Sequence, residues 1–200
     1  MDGFDFTSQI RLVCTDIVAR LPDLSHVDLS RVTIAFCQTR KRVSHGLYAS
    51  LTPMRFKGGS LVTRRSGRWY TLQRLYDASD REQLYILSFY LPRFMEVGLR
   101  VKVSTIILEL WHIGPAFDGD IRRHQGRCYA HTGSQRNYDE MMDRMADHYL
   151  GLSPPESLYG FLKLNFRQLQ ASHGPIIGTK VRRPTLIPLT EYQANRLAAG

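Results

Sequence analysis

Residues 99–113 read LRVKVSTIILELWHI, and the fold turns on whether they form a helix or a strand. Val101, Val103, Ile106 and Ile107 favour a strand, but the run is long for one. On a helix, Ile106, Ile107, Leu110 and Trp111 make one flank. Thr105, Leu108, Glu109 and His112 then make a second stripe at i, i+3, i+4 and i+7. A strand sends Glu109 and His112 to opposite faces; a helix brings them together.

Working outward, QLYILSFYLPRF (83–94) is the clearest strand, ended or bent by Pro92. VTIAFC (32–37) reads as a short buried strand. GLYASLTPMRF (46–56) and RWYTLQRLY (68–76) are two more strand candidates, with GG and SG turns between them. SQIRLVCTDIVAR (8–20) places Ile10, Val13, Cys14, Ile17 and Val18 on one helical face, with Thr7 or Ser8 as cap. Residues 138–150 and 155–170 read as amphipathic helices, the second with Pro155 near its start. Residues 21–31, 38–45 and 114–135 read as loops. The expected fold is α+β: a small, mainly antiparallel sheet with an N-terminal helix, the 99–113 helix and C-terminal helices. One domain is expected over 1–200, with a core of about 8–171 and an extended arm over 172–200.

The composition, 43% hydrophobic and 22% charged, is that of an ordinary globular protein. The net charge of +9 fits a solvated basic surface or a nucleic-acid footprint equally well. Basic residues spread over Arg40–Arg42, Arg64–Arg65, Arg122–Arg123 and Lys180–Arg183, with no recognisable nucleic-acid-binding motif. Cys14, Cys37 and Cys128 are too few and too scattered for a disulfide framework. The acidic start MDGFDFTSQI does not read as a signal peptide, and no apolar run approaches the length of a membrane span. A soluble cytoplasmic protein is the expectation.

The chemistry-bearing residues cluster after the helix. Zinc peptidases hold metal through two helical histidines one turn apart, and a glutamate between them takes a proton from a metal-bound water. LELWH (108–112) supplies Glu109 and His112, with Leu108 where the first histidine would stand. The competing reading is a surface acid and a hydrogen-bonded helix-end histidine. Downstream, WHIGPAFDGDIRRHQGRCYAHTGS adds His124, Cys128 and His131, any of which could bring a further zinc donor from a Gly-rich loop. Asp118 and Asp120 could accept hydrogen bonds from ligating histidines. Tyr129 and Tyr138 could donate to an oxyanion, or serve simply as packing aromatics.

The run ELWHI…FDGD…RRH…GRCYAH resembles a family of small bacterial, archaeal and phage metallopeptidases whose active helix reads H-E-L-x-H-I. The likeness covers residues 89–139 well and 30–88 more loosely. It implies a zincin-like fold that hydrolyses peptide bonds, with Glu109 as general base and His112 and His124 as zinc ligands. His131 competes for the third place, and Cys128 is a possible substitute. It also implies an extended peptide or protein substrate, placed by edge pairing on the strand at 85–91. Leu108 departs from the family pattern, because leucine has no donor atom. Three outcomes follow: a retained fold without metal, recruitment of Cys128 or His131, or an isolated variation. The sequence is compatible with a zinc metallopeptidase, an inactive zincin-fold binding module, and a basic nucleic-acid-binding protein.

Overall fold

The computed structural model describes residues 3–38, 46–123 and 135–198. Its elements are β1 (Phe4–Asp5), α1 (Phe6–Arg20), β2 (Val32–Gln38), β3 (Ala49–Pro53), β4 (Val62–Arg65), β5 (Arg68–Leu72), β6 (Leu75–Tyr76), β7 (Glu82–Gln83), β8 (Tyr85–Leu91), α2 (Leu99–Trp111) and α3 (Gln135–Gly151). They continue with α4 (Glu156–Tyr159), α5 (Phe166–His173), β9 (Ile176–Ile177), β10 (Leu186–Leu189) and α6 (Glu191–Ala198). The fold is α+β.

The deciding stretch is helical. Val103, Ile106, Ile107 and Leu110 are fully buried, which is the apolar flank of an amphipathic helix. Gly98 enters α2 in an extended conformation, and Gly114–Pro115 cannot continue it. The carbonyls freed at its end find donors. Arg122 gives its backbone N–H to His112 O at 2.7 Å and its Nε to Trp111 O at 2.8 Å.

The main sheet has the order β2-β8-β3, with β2 parallel and β3 antiparallel to β8. Tyr85, Leu87, Phe89 and Leu91 face the large core with α1 and α2, beside Ile34 and Phe36 of β2. Ile86 faces the other way, into a small cluster with Ala35 and Met54 under Leu72, Leu75 and Val181. Burial on both faces explains why this strand is a continuous apolar run. It also corrects the edge-pairing expectation. Residues 85–91 are the middle strand, hydrogen-bonded on both sides, so no peptide can add there. The antiparallel edge of this sheet is β3.

A second antiparallel sheet has the order β10-β5-β4. Its hairpin turns at Ser66–Gly67, both with positive φ. β4 was not expected as a strand; it has only four residues, two of them exposed arginines. The C-terminal segment pairs with the body and ends in a helix that was not expected. β9 pairs with β1, β10 pairs with β5, and α6 follows, with Thr190 and Gln193 bonded reciprocally at its start.

Two helix boundaries also shift. Asp5 caps α1, accepting from Ser8 N at 3.0 Å, so neither Thr7 nor Ser8 is the cap. The expected 155–170 helix is broken into α4, a short 3-10 turn and α5. Asn165 stops the first part and starts the second through a capping box with Gln168.

Candidate functional site

Glu109 leaves the buried side of α2 and is only 8% exposed, so it is not a surface acid. Burial pushes its carboxyl up to about 7, partly opposed by the backbone N–H of Leu51, which donates to it. Leu51 lies on β3, opposite Leu87 of β8. Its N–H therefore turns away from β8, toward the outer edge and the helix. Among the described residues no strand pairs with that outer edge.

His112 is the C-cap residue that follows α2, and its N–H donates to Leu108 O at 3.1 Å. Its ring lies 6.1 Å from that of Tyr138, inclined by 18°. Tyr138, on α3, is fully buried, and burial holds its phenol above the usual range. Leu108 sits one turn before His112, partly buried against the core. A second donor on this face would have to come from that position.

The loop after α2 is pinned firmly. Gly114 N donates to Asp120 O, and Ile113 and Ile121 form an isolated antiparallel bridge. Tyr85 Oη donates to Asp120 O at 2.8 Å and accepts from Gly119 N at 3.0 Å. Gly119 has a φ of +91°, and a Cβ there would come within 2.4 Å of Arg55 Cγ. Arg122 lies with its guanidinium 4.1 Å from the centre of the Trp111 ring.

Asp120 is absorbed by this loop. Its carboxylate accepts from Gly58 N at 2.9 Å, Ile121 N at 2.8 Å, and Arg123 Nε and Nη2 at 2.8 and 2.7 Å. Asp118 accepts from Asp120 N at 3.0 Å, an Asx turn. Among the described residues neither aspartate accepts from a histidine. Their evident work is to shape the loop. His124, Cys128, Tyr129 and His131 lie outside the described residues.

Three contributors were not read from the sequence. The Leu51 N–H could not be, because it is a backbone group 58 positions before Glu109. Arg122 caps α2, and its place ten residues after His112 gives no periodic signal. His26, in the connection after α1, brings Nε2 to 3.4 Å from Ile113 O, and burial lowers its pKa.

A catalytic zinc takes three protein donors and keeps one position for water. On α2 and its C-cap the described residues offer one imidazole, His112, and one buried carboxylate, Glu109. Leu108 offers a hydrocarbon, with no donor atom. Among the described residues no three His, Cys, Asp or Glu side chains are grouped to hold a metal ion. This set does not by itself fit a zinc site. Comparison with protein-family models, with curated proteins and with solved structures gives no match. Among the described residues no helix is long and apolar enough to cross a membrane.

Proposed function

We propose that this chain is a metallopeptidase-like, zincin-type domain that binds extended peptides and in which Leu108 has suspended metal-dependent hydrolysis. One observation carries the reading. Glu109 is buried on the helix beside β3, an antiparallel edge with which no strand pairs among the described residues; the backbone N–H of Leu51 on that edge faces its carboxyl, and it stands three residues before His112. That is the arrangement in which a base waits beside a peptide aligned by strand addition. The edge is β3, not the central strand.

Zinc, in peptidases with both helical histidines, supplies an activated water. Glu109 has the attributes of its proton acceptor: a low-dielectric setting and a carboxyl near 7. His112 is one of the ligands the resemblance implies, with His124, His131 or Cys128 as the loop donor. The missing part is position 108.

The test is Leu108→His. The parent chain, purified without a histidine tag, is expected to carry zinc well below one equivalent and to leave a mixed peptide library uncut. The variant is expected to approach one equivalent and to cut, and Glu109→Gln in the variant background is expected to abolish cutting while zinc remains. A parent that holds a full equivalent and cuts peptides overturns the suspended-hydrolysis part. A folded Leu108→His variant that takes no zinc overturns the metallopeptidase reading itself.

A further inference from the structure

Strand pairing concentrates the positive charge of the chain. Residues 54–76 contain Arg55, Lys57, Arg64, Arg65, Arg68 and Arg74 and no Asp or Glu. Residues 174–190 contain Lys180, Arg182 and Arg183 and again no acid. These nine charges equal the whole net charge of +9, so the rest of the chain is balanced. The two segments are a hundred residues apart, yet β10 of the second pairs with β5 of the first, with β4 on the other side. Arg64, Arg65 and Arg68 lie on this sheet and Arg74 and Arg183 flank its strands in the sequence, whereas Lys180 lies over Phe36 of β2.

The hairpin tip is its sharpest point. Arg65 and Arg68 stand directly opposite each other on the last rung of β4 and β5, and both are exposed, as is Arg64. Like charges placed directly opposite destabilise a strand pair. Elsewhere the same segment neutralises its arginines, because Glu82 pairs with both Arg55 and Arg74. Among the described residues no carboxylate pairs with Arg64, Arg65 or Arg68. Ser66 and Gly67 have φ of 47° and 78°, the left-handed pair of a tight hairpin turn, and the Arg64 guanidinium lies 5.6 Å from the Trp69 ring centre. An exposed, uncompensated rung of arginines is complementary to an anion outside the chain.

The chemistry narrows the partner. Seven of the nine residues are arginine, whose planar fork matches phosphate bidentately. The tip, RRSGR, has no apolar side chain to insert into a lipid surface. β10 stops opposite Trp69, so the Arg65–Arg68 rung and its turn extend past it as two strands only, narrow enough for the major groove of duplex DNA, about 12 Å wide, with phosphates on both sides. We infer that the β4–β5 tip binds the phosphate backbone of double-stranded DNA without reading its sequence. This surface is separate from Glu109 and does not depend on the peptidase reading.

Fluorescence anisotropy with a labelled duplex of arbitrary sequence, about 24 base pairs long, between 50 and 200 mM NaCl tests it. The logarithm of the association constant is expected to fall linearly with the logarithm of salt concentration. The R64A/R65A/R68A variant is expected to bind more weakly, with a slope shallower by roughly 0.9 per arginine removed. R144A/R167A removes two exposed arginines outside the sheet and is expected to leave the slope unchanged. Circular dichroism checks that each variant is folded. The inference is overturned if duplex DNA does not bind, if the triple variant keeps the parental slope, or if anionic phosphatidylserine vesicles bind the tip and the duplex does not.

Discussion

Glu109→Gln should make this protein more stable at neutral pH, and the gain should depend on pH in a particular direction. Burial raises the Glu109 carboxyl from 4.5 to about 7. A carboxyl whose folded pKa lies above its unfolded value binds more protons when folded. Its contribution is therefore favourable at low pH and is lost as pH rises from the unfolded to the folded value. The separation of about 2.5 units corresponds to about 3 kcal/mol at most. Between pH 5 and pH 8 most of this, about 2–3 kcal/mol, should be lost by the parent and not by the glutamine variant. Glutamine keeps an oxygen for the Leu51 N–H, so any cost of the new amide is a constant offset. Urea unfolding at pH 5, 6, 7 and 8 measures both proteins. The stability of the variant relative to the parent should rise by about 2–3 kcal/mol across that range. A flat difference would mean that the carboxyl is hydrated, and the argument for a base kept in a low-dielectric site would fall.

Two further perturbations test how the site is held. Lys102 is 1% exposed and donates from Nζ to Leu162 O and Leu164 O, both at 2.8 Å, while burial lowers its pKa to about 8. A depressed lysine pKa has the opposite sign to the Glu109 case: the unfolded chain binds more protons, so stability rises with pH between about 8 and 10.5. Relative to Lys102→Met, the parent should gain up to about 3 kcal/mol over that interval by urea unfolding, and no gain would refute the burial argument. Asp120→Ala removes an acceptor of four hydrogen bonds and leaves Gly58 N and Ile121 N without their partner. It should cost about 2–4 kcal/mol, measured as a shift in the denaturation midpoint. A loss below about 0.5 kcal/mol, the size of an ordinary surface change, would show that the loop is not held through this carboxylate.

The sequence disclosed elements whose signal is local. The i, i+3, i+4 spacing of Val103, Ile106, Ile107 and Leu110 outweighed their β-branching, because a two-sided core on one helical flank is worth more than strand propensity. It disclosed less where the signal is pairing. YILSFYL was legible as a strand from its apolar and aromatic run, yet only the register with β2 and β3 makes it central rather than an edge. β4 escaped notice because a short strand ending in two exposed arginines has no apolar period. The basic sheet was invisible because each acid-free segment is unremarkable alone, and nothing local says that residues 186–189 return to 69–72. Asp118 and Asp120 have the residue types of histidine acceptors; among the described residues the partners they accept from are backbone N–H groups and Arg123.

The buried polar groups separate what the fold needs from what it merely tolerates. Along α2, Lys102 is accounted for by two carbonyls that tie the helix to the turn before α5. Thr105 is accounted for by Val101 O, one turn back. Asp120 has four donors and secures a loop. Glu109 is different. A carboxylate can accept at several positions, and among the described residues it has one backbone donor and no cation. A leucine there would cover the same flank without the desolvation cost. Packing therefore does not explain Glu109, whereas it does explain Leu108, which lies against the core. The two neighbours on one helical turn make opposite demands: one lowers stability and offers chemistry, the other adds to the core and withholds a ligand. If Glu109→Gln stabilises and Leu108→His restores metal, the turn is a peptidase site that lacks one atom donor. If Glu109→Gln is neutral, the carboxylate is an ordinary hydrated group, and the β3 edge has no base beside it.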